Sequence, residues 1–317
     1  MEEQLAAGGN RTGSGHGWRH GTVVAGVAWK NPVGTASGTF NLDACKDFYD
    51  VSQMGAISTK GVSPIPWEGN PTPRTAECPA GMINSVGLQN PGVDAYLTDE
   101  LPRLKALGAT VVTNVAGHSD DDYAEVVEKL ADSPADMLEI NVSCPNVSHG
   151  GMSVGSDPQA LNRLILRLRG LSDKPMVVKL TPNVTDIVAV ARAAVDGGAD
   201  ALSLINTLVG MRIDIKTGRP ILAQKTGGVS GPCVFPIALG FVWRVRQALP
   251  QIPIIGIGGI DSGAKALEFL YAGANAVEVG AAALVDPVAP LRVARELDDL
   301  LDERPGLAGK LMKGQTW

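Results

Sequence analysis

A chain of 317 residues, 44% of them hydrophobic, is long enough for one large α/β barrel and too apolar for a disordered chain. A net charge of -6 argues against a nucleic-acid surface, which normally needs a basic patch, and no apolar run is long enough to span a bilayer. The four cysteines (Cys45, Cys78, Cys144, Cys233) form no CxxC pair, which argues against a zinc or iron–sulfur site and suits reduced thiols in the cytoplasm.

Residues 1–20 are polar and Gly-rich, lack an apolar signal core, and are expected to form a disordered leader. Residues 21–317 then make one domain, opening with an outer strand or hairpin at 22–29. A first core strand at 31–39 runs into a glycine turn. A helix at 43–54 leads to a second strand, 55–60, with Lys60 at its end. An irregular Pro/Gly-rich insertion covers 62–91, and insertions of this length are usually functional. After a helix at 93–107, the third strand, 110–115, delivers Asn114. A helix at 120–130 precedes the fourth strand, 137–142, which emerges into Ser143-Cys144-Pro145-Asn146. The Gly/Ser-rich loop 147–155 suits an active-site lid. A helix at 157–171, a fifth strand at 175–180 with Lys179, and a helix at 185–196 follow. The sixth strand, 201–205, ends in Asn206-Thr207 and enters a second polar insertion, 210–232. A helix at 235–249 precedes the seventh strand, 252–257, which breaks at Gly258-Gly259. The eighth, 276–279, follows a helix at 262–272, ends in Gly280-Ala281 and leads to a last helix at 287–301.

Eight short apolar strands, continuous rather than alternating and separated mostly by helices, specify an α/β fold: a (β/α)8 TIM barrel with loop insertions at its C-terminal face. In such a barrel the chemistry sits at the strand ends, which here hold Ser37, Lys60, Asn114, Asn141, Lys179 and Asn206-Thr207. Any one of these could be a turn residue or a solvated lysine, and a lone cysteine such as Cys144 is commonly an inert core residue. Their joint occurrence at successive strand ends is what points to a site. Glycine turns after the last two strands bare the backbone where barrels commonly bind phosphate, although they also serve as tight turns. No paired carboxylates or His triad stand at the strand ends, which argues against glycosidase and hydrolase chemistry. The four histidines (His16, His20, His118, His149) lack metal-ligand company.

Seven motifs in order carry a resemblance that spans residues 29–287. They are Ala36-Ser37-Gly38-Thr39-Phe40, Asn84-Ser85-Val86-Gly87-Leu88-Gln89-Asn90-Pro91-Gly92, Asn141-Val142-Ser143-Cys144-Pro145-Asn146-Val147, Lys179-Leu180-Thr181-Pro182-Asn183, Asn206-Thr207, Gly227-Gly228-Val229-Ser230-Gly231-Pro232 and Gly258-Gly259-Ile260. The chain resembles class 1 dihydroorotate dehydrogenases, flavin enzymes of pyrimidine biosynthesis. The residues after Cys144 are most like those of class 1B, the NAD-linked form. The resemblance implies oxidation of dihydroorotate to orotate with one FMN per chain. Cys144 would be the catalytic base, assisted by Lys60. Substrate contacts would come from Lys60, Asn84, Ser85, Val86, Gly87, Leu88, Asn141, Asn206 and Thr207. The flavin would lie on Ser37, Lys60, Gly61, Asn114, Asn141, Lys179 and Ile205, with its phosphate at Gly231, Gly258, Gly259, Gly280 and Ala281. It further implies a homodimer core joined, as a heterotetramer, to a subunit carrying FAD and a 2Fe–2S cluster. Phe235, Gly240 and Ala281-Ala282-Ala283 depart from the family's usual residues, which bears on phosphate binding, the partner interface and the electron acceptor. Other readings of the same residues are a related uracil or thymine dehydrogenase subunit, a fumarate-using class 1A enzyme, and a non-enzymatic FMN-binding scaffold.

Overall fold

The structure, a computed structural model, describes residues 17–143, 154–311 and 313–314. Eight strands close the barrel: β1 (Val33–Thr35), β2 (Ala56–Ser58), β3 (Val111–Val115), β4 (Met137–Asn141), β5 (Met176–Lys179), β6 (Ala201–Leu204), β7 (Ile254–Ile257) and β8 (Ala276–Val279). They follow one another in chain order around the barrel, every neighbouring pair is parallel, and β8 returns to β1 with Val277 opposite Val33. Every strand residue is buried, which is why the strands carry near-continuous apolar runs.

Alternation survives inside the barrel, because a strand points successive side chains to opposite sides. One set, including Val33, Ile57, Val111, Leu138, Ile140, Val178, Leu202 and Val277, packs in the large core with residues of the surrounding helices. The other set stacks in two layers. Ala56, Val112, Met137, Val177, Ala201, Ile255 and Ala276 form an apolar lower cluster with Val24 and Trp29 of the hairpin Thr22–Val24/Val27–Trp29, which plugs that end. Two residues further along six of these seven strands come Ser58, Asn114, Glu139, Lys179, Ser203 and Glu278, all buried and polar, while β7 places Ile257 there. Ahead of the hairpin, Arg19, within the expected leader, bonds Asp298, Asp299 and Asp302 on the helix Ala289–Asp302; residues 1–16 of that leader lie outside the described residues.

Side-chain caps fix several helix starts: Ser119 with Asp122 in a capping box, Asp157 ahead of Pro158, Asp186 and Ser262. Two expected helices are broken. The stretch 43–54 is helical only at Leu42–Cys45 and in a single turn at Val51–Gln53, because Asp50 turns extended and caps Ser52 N. The stretch 93–107 divides into Val93–Thr98 and Glu100–Ala106 at Asp99, one turn before Pro102, whose ring clashes with a continuing helix. A short helix, Ala281–Val285, follows β8 ahead of the expected last helix.

The first insertion, expected to be irregular, holds two strands, and residues in and beside the second insertion supply two more. They combine into one antiparallel sheet in the order Leu208–Met211, Thr226–Ser230, Gly81–Asn84, Thr75–Cys78. Glycine hides these strands in the sequence, yet the sheet requires it: a Cβ on Gly228 would stand 2.0 Å from Thr207 Oγ1. Among the described residues no helix is long and apolar enough to cross a membrane.

Candidate active site

The mouth of the barrel and the insertion sheet enclose a cavity of about 350 Å³. Of the residues singled out in the sequence, Ser37, Lys60, Asn84, Val86, Leu88, Asn141, Lys179, Ile205, Asn206, Thr207, Gly231, Gly258, Gly259, Gly280 and Ala281 line it. Four do not. Ser85 accepts from Asn70 Nδ2 at 3.0 Å, and Gly87, at φ +75°, packs against the same asparagine. Gly61 and Asn114 lie together just below the cavity, where a Cβ on Gly61 would stand 2.7 Å from Asn114 Oδ1. Cys144 lies outside the described residues, as does most of the expected lid. The end of that loop, Val154-Gly155, is buried, with Gly155 N donating to Val142 O at 3.0 Å.

Lys60 is the most exposed to chemistry of the two mouth lysines. It extends past the end of β2 beside Gly38, whose φ of +80° and missing side chain leave the ammonium room: a Cβ there would be 3.4 Å from Lys60 Nζ. Burial, and then the charge of Lys179, lower its pKa. Among the described residues no carboxylate pairs with it. Such a half-buried cation lacking a fixed counter-charge is a receptor for a ligand anion.

Lys179, in contrast, is built into the barrel. Its Nζ is 3.5 Å from Glu139 Oε2, which also accepts from Asn114 Nδ2 at 2.6 Å, while Glu139 Oε1 accepts from Ser203 Oγ at 2.7 Å. Across the interior, Ser58 Oγ donates to Glu278 Oε1 at 2.6 Å. Gly34, opposite Glu278 in the register, makes space for it. Burial, and then the charge of Glu139, push the Glu278 carboxyl up to about 8, so it is a neutral acid at neutral pH; Lys179 and the Ser58 hydrogen bond pull the other way. Neither glutamate was singled out from the sequence. The available signal was their position: an acid in an apolar strand, two residues before Asn141 and Gly280 and therefore on the same, inward side.

Asn141 is fixed from both sides. Tyr123 OH donates to its carbonyl at 2.7 Å, and its Oδ1 accepts from Asn206 Nδ2 at 3.1 Å and from Ser143 N at 3.3 Å. Asn206 Oδ1 in turn accepts from Thr207 N at 2.8 Å. From the sheet, Asn84 Nδ2 donates to Gly228 O at 3.3 Å. The far end of the cavity is bare backbone: Gly258 and Gly259 sit at φ +136° and +69°, and a Cβ on Gly259 would stand 2.9 Å from Gly231 O and 2.7 Å from Phe235 Cβ. Phe235, one of the departures from the family pattern, packs edge-on against Phe269 under the Lys265 ammonium.

Among the described residues, a polar mouth with one uncompensated cation, a ring of amides and a bare-backbone end fits a (β/α)8-barrel enzyme with its chemistry at the C-terminal strand ends. Residues 21–301 match the family model for dihydroorotate dehydrogenase. The chain is 49% identical over 284 residues, 89% of its length and 94% of the relative's, to dihydroorotate dehydrogenase B (NAD(+)), catalytic subunit, of Alkaliphilus oremlandii. It is 50% identical over 282 residues to the protein of the same name from a Geobacter species, covering 88% of this chain and 92% of that one. The chain belongs to the dihydroorotate dehydrogenase family.

Proposed function

We propose that this chain is the catalytic subunit of a class 1B enzyme that oxidises dihydroorotate to orotate in cytoplasmic pyrimidine synthesis. The observation that carries the proposal is the half-buried, uncompensated Lys60 facing the amide ring of Asn141, Asn206 and Asn84. A carboxylate-bearing pyrimidine meets both needs: its carboxylate matches the cation, and its ring amides match asparagine donors and acceptors. Uracil and thymine, which lack the carboxylate, would leave Lys60 unanswered.

The residues fit FMN. Asn114 Oδ1 is buried without a partner, and the Gly231, Gly258-Gly259 and Gly280-Ala281 backbone leaves a cradle that side chains would fill. Ser37, Lys60, Gly61, Asn114, Asn141, Lys179 and Ile205 would hold the ring system, and the glycine-rich end its phosphate. Bound there, the flavin supplies a hydride acceptor. Dihydroorotate loses a proton from C5 and a hydride from C6; Cys144 is the proposed acceptor of the proton. Lys60 orients the substrate carboxylate and steadies negative charge that develops near it, and Asn141 and Asn206 hold the ring edges in line. The proposal includes a homodimer core and a partner subunit carrying FAD and a 2Fe–2S cluster. The relatives' designation as catalytic subunits and the absence of cluster-spaced cysteines support that division of labour.

The test is anaerobic mixing with dihydroorotate while flavin absorbance is followed. Cys144→Ala is expected to keep its yellow colour and to be reduced roughly 10²–10⁴ times more slowly. Reduction at the wild-type rate would remove Cys144 from the base role, and equal reduction by dihydrouracil would remove dihydroorotate as the substrate.

A further inference from the structure

Cys78 and Cys233 are 155 positions apart in a chain with no CxxC motif, yet the insertion sheet brings them together. Cys78 ends the strand Thr75–Cys78 and stands opposite Gly81 across a tight turn at Pro79-Ala80. Opposed residues of an antiparallel pair direct their side chains to the same face, about 5 Å apart. Gly81 has no side chain, and the space it leaves is occupied: a Cβ there would stand 2.3 Å from Ser230 O and 2.8 Å from Cys233 Sγ. Cys233 Sγ therefore lies, together with Ser230 O, at the side-chain position facing Cys78. Cys233 is held there by its N–H, which donates to Ala80 O at 3.0 Å, and by its Sγ, 3.7 Å from Ser230 O.

Both thiols are partly exposed, whereas Cys45 is buried. Cys78 lines a second cavity, of about 610 Å³, with Asp261, Asp286 and Arg292, which gives small molecules a route to Cys78. Burial, and then Cys233, raise the Cys78 thiol, while Arg212 pulls it the other way.

We propose that Cys78 and Cys233 are a redox-modification site: a dithiol that a low-molecular-weight disulfide converts reversibly to a protein disulfide. One thiol, as its thiolate, attacks the small disulfide, forms a mixed disulfide and releases one small thiol. The second thiolate displaces the other small thiol from the mixed disulfide. The protein loses two electrons and two protons, and the small disulfide gains them as two thiols. The new bond ties the first insertion to the turn Pro232–Val234 that ends the second, beside Gly231 and the paired strands that carry Asn84 and Gly228. It thereby restrains the wall of the mouth cavity. The site itself is independent of the dihydroorotate reading; only its effect on flavin exchange rests on that reading.

The test incubates the native full chain with glutathione disulfide, blocks free thiols, and maps peptides by mass spectrometry. A peptide pair cross-linked through Cys78 and Cys233, lost on reduction, is expected, with Cys45 left as a thiol. In Cys233→Ser, Cys78 is expected to carry a glutathione adduct instead. Separate adducts on the two cysteines of the wild-type chain, or two free thiols after prolonged exposure, would overturn the site. Flavin loss on dilution is expected to slow about tenfold in the oxidised protein, since the disulfide restrains local opening. Unchanged flavin loss in a fully cross-linked sample would overturn the restraint of the mouth and leave the dithiol chemistry standing.

Discussion

The mouth is built from two layers made in different ways. The strand-end ring is set by the barrel itself: Asn141, Lys179 and Asn114 project from strands with every residue buried, and each is bonded to another barrel side chain. The insertion sheet is set by short antiparallel pairings and by places where a side chain is missing, as at Gly228 and Gly81. Charge placement demands rigidity, because an error of an ångström in a polar contact weakens it severely. A wall that must let a ligand in and out can rest on weaker, local contacts. The ring therefore holds the electrostatics, and the sheet holds shape.

The sharpest probe of that contrast is Lys60→Met. It leaves the methylene stem and deletes the cation, and should lower kcat/KM for dihydroorotate by roughly 10²–10³ with little change in melting temperature. A loss of less than about threefold would mean that the ring does not carry the anion-binding role. Gly228→Val tests the other layer. Its added carbons collide with Thr207, so the sheet must lift from the strand-six exit at a cost of about 1–3 kcal/mol. KM should rise about tenfold or more while kcat changes less, and the barrel should still melt within about 5 °C of wild type. An equal fall in kcat with unchanged KM would show the sheet to be part of the rigid ring.

The smallest effect concerns the interior beneath both layers. The folded chain holds the Glu278 proton up to about pH 8, whereas the unfolded chain releases it near the ordinary value of 4.5. Stability from this group is therefore complete at acid pH and is lost as pH rises towards 8. Glu278→Gln keeps an acceptor for Ser58 and abolishes the titration. Its melting temperature should match wild type near about pH 5 and exceed it by a few degrees near about pH 9. A gap that is the same at both pH values would mean that Glu278 does not titrate between them.

The legibility of the sequence follows the same division. The strands were legible because both faces are buried, and their polar ends stood out against apolar runs, as with Lys60, Asn141 and Lys179. Glu139 and Glu278 escaped notice because an acid within an apolar run looks like an exception until alternation assigns it to the barrel interior. The insertion sheet was illegible for a different reason. Its pattern is interrupted by Gly227 and Gly228, and its partners lie in separate insertions, so pairing such as Gly228 with Asn84 has no local signature. The same distance concealed the Cys78–Cys233 approach. The helix break at Asp99 had a readable cause in Pro102, and the site roles of Ser85 and Gly87 rested on resemblance alone.

The Arg19 anchorage has a consequence for how the molecule is made. Arg19 meets Asp298 across 279 positions, and β1 meets β8 across nearly as many. Contacts of such separation are the slowest to form and the most demanding in chain entropy. On the ribosome, β1 to β7 must wait as an open parallel sheet with two bare edges, a template for aggregation, until β8 and the last long helix emerge. Closure, capping of both edges and docking of Arg19 then become one late event. Nascent chains stopped before Ala276 should therefore be the species that chaperones hold.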